Sequence, residues 1–127
     1  QRAFDKALAY AGEREQFGSK ISDFQAIQFK LADMATDLQA ARLMLYDAAR
    51  ALDANDPDRT KRSAMAKRFV TDTGFNVANE ALQIHGGYGY LQDYEVERMV
   101  RDLRVHQILE GTNEIMRVII ARHLLNA

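Results

Sequence analysis

The stretch Ile27–Leu52, IQFKLADMATDLQAARLMLYDAARAL, decides the fold. Its apolar positions, Ile27, Leu31, Met34, Leu38, Ala41, Leu45, Ala48 and Leu52, step alternately by four and three. That spacing keeps one stripe on one side of an α-helix and matches helices packed nearly parallel to their neighbours. Just upstream, Ser22 and Gln25 have capping-box spacing, so the helix is expected to start there and run to about Asp53.

Outward from it, the same grammar repeats. QRAFDKALAYAGERE opens the chain with helical spacing, predicting a helix from about Gln1 to Gln16 with Phe4, Leu8 and Ala11 on its stripe. FGSKISDFQ breaks it. After the long helix, DANDPD supplies Asp56 as an N-cap with Pro57 at the first helical position. A third helix carries Ala66, Val70, Thr73, Val77, Ala81 and Ile84, and stops at Gly86–Gly87. GGYGYLQD then leads to Asp93 as the N-cap of a short helix reaching about Arg101, and a last helix covers Asn113 to Leu125 with Ile115, Val118 and Ile119 inward. One proline and seven glycines in 127 residues leave these helices uninterrupted. No segment alternates like a strand. The expectation is an all-α, up-and-down four-helix bundle with a short extra helix.

Composition narrows the function classes. With 47% hydrophobic and 28% charged residues, the chain has the balance of an ordinary globular domain. Seventeen basic against eighteen acidic side chains give a net charge of −1, which argues against a nucleic-acid-binding domain. Cysteine is absent, removing thiolate catalysis and thiolate metal sites. No apolar run approaches bilayer length, and no signal-peptide pattern opens the chain. The Glu-x-x-His pairs of a di-iron bundle are missing: His85 follows Glu80 by five, and neither His106 nor His123 has an acid three residues before it. No metal site is expected.

Three stretches carry candidate chemistry. EREQFG (residues 13–18) places Arg14 near a helix end, where it can simply complement the macrodipole. QIHGGYGY (83–90) resembles a phosphate loop, yet two glycines ending a helix are ordinarily a C-cap. In HQILEGTNEIMRVII (106–120), Glu110 follows Ile108 and Leu109 and precedes Gly111, which lets a flat ligand approach the backbone. Thr112 or Asn113 would cap the next helix, whose free N–H groups attract anions and dipoles. A carboxylate held in a dry place beside such a helix end can serve as a base on a carbon acid. A solvated loop acid without a role is the plain alternative.

Taken together, EREQFG, DFQAIQFKLADMATDLQAARLM (23–44), ALQIHGGYGY (81–90) and RDLRVHQILEGTNEIMR (101–117) occur in one order and at spacings that resemble the C-terminal α-helical domain of the acyl-CoA dehydrogenases. The likeness covers essentially the whole chain and is closest to short and branched-chain, isobutyryl-CoA dehydrogenase-like members. It implies FAD as cofactor, an acyl-CoA thioester as substrate, the 2,3-enoyl-CoA as product, and an electron-transfer flavoprotein as acceptor. It further implies a homo-oligomer, dimer or tetramer, in bacterial cytoplasm or mitochondrial matrix. The chain would then be one domain of a larger flavoprotein, its N-terminal and middle domains lying elsewhere.

Residue by residue, the resemblance makes Glu110 the base that removes the substrate α-proton. Gly111, Thr112 and Asn113 become the turn meeting FAD in the same subunit. Arg14, Gln16 and Phe17, with Phe24 and Gln25, reach the FAD of a neighbouring subunit, and Gln83, Ile84, His85, Gly86 and Gly87 touch its adenosine-diphosphate end. Arg122 lies near the acyl-CoA entrance. The sequence departs from many relatives in carrying Phe24 where they have histidine, and near Asn113 and Glu114. Two competing readings are a catalytically inactive helical assembly domain, which the isolated fragment is expected to resemble by binding negligible FAD, and a relative of the acyl-CoA oxidases.

Overall fold

The computed structural model describes residues 1–126. Among them are five α-helices: α1 (Arg2–Glu13), α2 (Gln25–Asp53), α3 (Arg59–His85), α4 (Val96–His106) and α5 (Asn113–Leu125). Three short 3₁₀ turns join them, at Ile21–Asp23, Gly86–Tyr90 and Gln92–Tyr94. The long helices α2 and α3 pair antiparallel along most of their length, and α3 also carries α1, α4 and α5. It is the hub of an all-α bundle, as the periodicity predicted.

The core is built from small residues. Ala7 and Ala11 of α1 and Ala78 and Ala81 of α3 are all 0% exposed, in one cluster with Ala3, Met34, Val77, Ile84 and Val96. Of the α1 stripe expected on Phe4, Leu8 and Ala11, Ala11 is buried, but Ala3 and Ala7 face inward with it, while Phe4 is half-buried and Leu8 is exposed. Alanines at four-residue spacing let two backbones approach more closely than larger side chains would permit, and that contact outweighs the larger area a Leu8 face would bury.

The α2 seam is divided in use. Met34, Ala41 and Ala48 are buried, Ile27, Leu31 and Leu38 are half-buried, and Leu45 and Leu52 stand exposed. The last two edge an apolar groove of about 330 Å³ with Ala48, Ala49, Ala66 and Val70. A stripe that continues past the chain's own core is the pattern expected of a helix with a further packing partner.

Several ends differ from the sequence expectation. α1 stops at Glu13, and Glu15–Gln16 pairs with Ser19–Lys20 in a two-residue β1–β2 hairpin. Its turn residues, Phe17 and Gly18, have φ of 54° and 81°, the geometry that matches strand twist. Strands of two residues are too short for alternation to reveal. The Ser22–Gln25 capping box does not form, because Ser22 lies inside a 3₁₀ turn. Phe24 is the N-cap of α2 without a side-chain bond, and the Gln28 amide donates to the Ser22 carbonyl at 3.0 Å. Asp56 accepts from the Asp58 N–H at 2.7 Å, an Asx turn, so α3 begins after Asp58 and Pro57 remains outside it. Asp93 falls within the Gln92–Tyr94 turn; α4 starts after Glu95 (φ 61°) and runs beyond Arg101 to His106. In α5 the buried residues are Asn113 and Met116, whereas Ile115 and Val118 are exposed and Ile119 half-buried.

Glu95 also ties the first helix to the fourth. Its Oε2 accepts from Arg2 at 2.5 Å and pairs with Lys6 at 3.2 Å. The Lys6 hydrogen bond and the Arg2 and Lys6 charges hold the Glu95 carboxyl below its ordinary value of 4.5. A carboxyl whose folded value is depressed stabilises the fold above its unfolded pKa and loses that contribution as pH falls through the folded one. Melting temperatures of the wild type and Glu95→Gln are therefore expected to differ near neutrality and converge in acid. A gap independent of pH would contradict this assignment.

Candidate functional site

Two clusters contain ten of the fifteen site residues singled out from the sequence. The first is a groove of about 420 Å³ lined by Tyr10, Arg14, Gln16, Ile21, Ile84, His85, Gly86, Gly87, Tyr88 and Leu91. It forms where α1 ends in the hairpin and α3 ends in the glycine turn. Gly86 has φ 59° and ψ −140°, a conformation open essentially to glycine, and nothing lies within 4 Å of where a Cβ would project from Gly86 or Gly87. The floor there is bare backbone.

Aromatic rings wall the groove. Tyr10 stacks on His85 with centroids 4.3 Å apart, and Tyr94 meets His85 edge-on at 5.9 Å. The Arg14 guanidinium lies 5.2 Å over the Tyr88 ring and has no carboxylate in salt-bridge range among the described residues. A cation held on an aromatic face beside bare backbone suits a phosphate and a flat ring system. The buried His85 makes its Nδ1 contact with the Ala81 carbonyl at 2.7 Å, which fixes Nδ1 as the donor and Nε2 as the acceptor in the neutral ring. Burial pushes the Tyr10 phenol above its ordinary value of 10, against the Arg14 charge, so it stays a protonated donor.

Of the residues expected at this end, Arg14, Gln16, Ile84, His85, Gly86 and Gly87 line the groove. Phe17 stands 94% exposed at the hairpin tip, edge-on to Phe24 at 6.3 Å; Gln25, next to Phe24 in the chain, and Gln83 on α3 are exposed and do not line the groove. Tyr10, Ile21, Tyr88 and Leu91 were not anticipated: Tyr88 directly follows the predicted Gln83–Gly87 segment, and tertiary packing rather than a local motif brings in the other three.

The second cluster is the turn between α4 and α5. The Asn113 N–H donates to the Gln107 carbonyl at 3.0 Å and closes the loop. Within it Glu110 has φ 54° and Gly111 φ 91°. A left-handed glutamate costs about 1–3 kcal/mol and persists only where its surroundings fix it. Thr112 caps α5, its hydroxyl accepting from the Ile115 N–H at 3.3 Å. A Cβ on Gly111 would fall 2.8 Å from the Met116 Cε. The backbone N–H groups of Glu110, Gly111 and Thr112 make no hydrogen bond to a described residue and are available to an oxyanion.

Beneath the turn lies a connected polar network. Lys67 Nζ donates to the Gly111 carbonyl and to Asn113 Oδ1, each at 2.7 Å. Asn113 Nδ2 donates to Thr71 Oγ1 at 2.9 Å and to Asp72 Oδ1 at 2.7 Å, and Gln107 Nε2 donates to the same Asp72 oxygen at 2.8 Å. Asn113 is 3% exposed, with its amide committed inward. Its side chain supports the turn and does not reach outward to a ligand in this geometry.

Glu110 itself is exposed, with Ile108 and Leu109 about half-exposed beside it. The shelter expected for this carboxylate is absent among the described residues: the turn packs its inner side on the middle of α3, through Lys67 and Asp72, and leaves Glu110 on the outer side. Arg122 is exposed nine residues into α5, roughly 14 Å along the helix from the turn, and belongs to neither cluster. Lys67 and His85, which mark the two clusters, are eighteen residues apart on α3, roughly 27 Å. No group of three or more metal-ligating side chains occurs among the described residues, and no described helix is long and apolar enough to cross a membrane.

Comparisons with known proteins agree on one family. The family model described as acyl-CoA dehydrogenase, C-terminal domain, matches residues 1–125. Isobutyryl-CoA dehydrogenase, mitochondrial, of Dictyostelium discoideum is 56% identical over 111 residues, covering 87% of this chain and 27% of the relative. The 3-(aryl)acrylate reductase of Clostridium sporogenes is 50% identical over 125 residues, 98% of this chain and 33% of the relative. Butyryl-CoA dehydrogenase from Megasphaera elsdenii superposes with a TM-score of 0.93 at 42% identity, covering 97% of this chain and 32% of that one. The chain thus spans about a third of the length of the relatives it matches. On its sequence, its bundle and its two clusters, this chain belongs to the acyl-CoA dehydrogenase family.

Proposed function

We propose that this bundle is the C-terminal domain of a larger flavoprotein that dehydrogenates an acyl-CoA thioester to the 2,3-enoyl-CoA, with Glu110 as the base. The family's members are FAD enzymes, and solved relatives include the FAD complex of PigA. FAD, when bound, supplies the hydride acceptor. This chain's residues fit such a group: Arg14 offers a cation, Gly86 and Gly87 a backbone floor, and the Glu110 turn free N–H donors. The separation of the clusters along α3 supports contact with two different cofactors, as in an oligomer where Arg14 and the 83–87 loop reach a neighbouring subunit's FAD.

The observation that carries the reading is the left-handed Glu110 turn, fixed from below and open above. A thioester α-proton is too weakly acidic for a water-exposed carboxylate to remove at a useful rate. The apolar surface of Ile108, Leu109 and Ile115 around Glu110 gives another domain something to cover, and drying the carboxylate raises its proton affinity. The free N–H groups of the turn then meet the thioester oxygen as charge develops on it. Glu110 takes the α-proton, and the electron pair left on carbon expels hydride from the β-position. Relatives named as reductases, such as the caffeyl-CoA reductase subunit of Acetobacterium woodii, are compatible with the same base acting in reverse.

An electron-transfer flavoprotein is the proposed acceptor, a branched short-chain acyl-CoA the proposed substrate, and bacterial cytosol or mitochondrial matrix the proposed setting. Mixing the complete FAD-loaded protein with a panel of acyl-CoAs anaerobically tests the reading. Flavin absorbance is expected to bleach with saturated thioesters, most with short branched chains. Absence of bleaching by any of them would refute the activity.

A further inference from the structure

We propose that Lys67 is the positioning residue of the Glu110 turn, holding from α3 the backbone on which the base is carried. The inference rests on reading Glu110 as the base. Among the described residues, Lys67 is the one side chain of another helix that hydrogen-bonds the backbone of the 108–112 turn. Its ammonium bridges the Gly111 carbonyl and Asn113 Oδ1, so it spans the strained pair of residues and the first residue of α5 at once.

The rest of the network aims this lysine. Thr71 donates to the Lys67 carbonyl at 2.9 Å and accepts from Asn113, while Asp72 gathers Asn113 and Gln107, the two residues that close the turn. Lys67, Thr71 and Asp72 occupy adjacent turns of one rigid helix, giving the loop a fixed reference. Each of these side chains is hydrogen-bonded to at least one other of the set, and a connected network of this kind rigidifies what it holds. No carboxylate lies in salt-bridge range of Lys67 among the described residues, so its charge is directed at carbonyl oxygens alone. An ion-pair role does not account for it.

The test uses the full-length FAD-loaded protein in three variants, Lys67→Met, Lys67→Gln and Glu110→Gln. In Lys67→Met, amide hydrogen exchange at Ile108, Leu109 and Asn113, the hydrogen-bonded N–H groups of the turn, is expected to rise about tenfold or more while that of α2 is unchanged. The rate of flavin reduction by acyl-CoA is expected to fall about 100-fold with KM within about threefold, the result of a base moved without loss of substrate binding. Lys67→Gln, which keeps a donor on a shorter arm, is expected to recover part of both, and decides the matter if the methionine variant does not fold. Unchanged exchange at these amides, or unchanged reduction in Lys67→Met alongside its loss in Glu110→Gln, overturns the positioning role alone. Unchanged reduction in Glu110→Gln overturns the base itself, and the exchange measurement still judges the contact.

Discussion

Glu110→Gln in the complete protein is expected to retain FAD and lose reduction by acyl-CoA, by about 10²–10⁴-fold. The substitution keeps the shape of the side chain and its place on an exposed turn, so nothing in the fold is asked to change. On the proposed role, what disappears is the proton acceptor. The free N–H groups of Glu110 and Gly111 remain to bind the thioester oxygen, so substrate affinity should persist while chemistry stops. Rapid-mixing absorbance of the flavin, paired with a count of FAD per chain, separates the two quantities. Reduction at the wild-type rate would show that some other group takes the proton.

Ala81→Leu is expected to damage the fold severely, lowering stability by about 3 kcal/mol. Ala81 is 0% exposed, as are Ala78 on the same helix and Ala7 and Ala11 on the helix packed against it. There is no cavity to receive three added carbons, so the helices must separate or the leucine must leave its rotamer. Both forfeit close packing along the whole contact. For a domain of this size, the loss corresponds to a melting shift on the order of 10 °C. The same contact positions the groove, because α1 leads into Arg14 and α3 into His85. Ala81→Leu should therefore also loosen the Tyr10–His85 stack, visible in near-ultraviolet circular dichroism. A melting temperature unchanged by the substitution would mean that the two backbones are not in close contact.

The sequence made the helices legible for a simple reason: a long amphipathic run repeats its signal many times. The α2 register and the α5 boundaries were read directly. The faces were less legible. Leu8 and Phe4 look like the inner stripe of α1 by hydrophobicity, yet the alanines are inside. Ile115 and Val118 look buried, yet Asn113 and Met116 turn inward. In each case a specific contact with α3 selected the rotation, and no single helix contains that information. The Ser22 capping box failed likewise, because capping spacing recurs by chance where a 3₁₀ turn occupies the same residues.

Glu110, Gly111 and Thr112 were recognisable as a motif, and so was the glycine end of α3. By itself the sequence determined the class of fold, the number and order of the helices and the residue types that chemistry requires at the two clusters. Only the tertiary structure decided which residues support them. Lys67 lies 43 positions before Glu110 without a motif to link them, and Tyr10 lies 75 before His85. Local periodicity encodes where a helix forms, because its hydrogen bonds span four residues. The pairing of a lysine with a distant carbonyl depends on how whole helices rotate and settle against one another, and that is set by all their contacts at once.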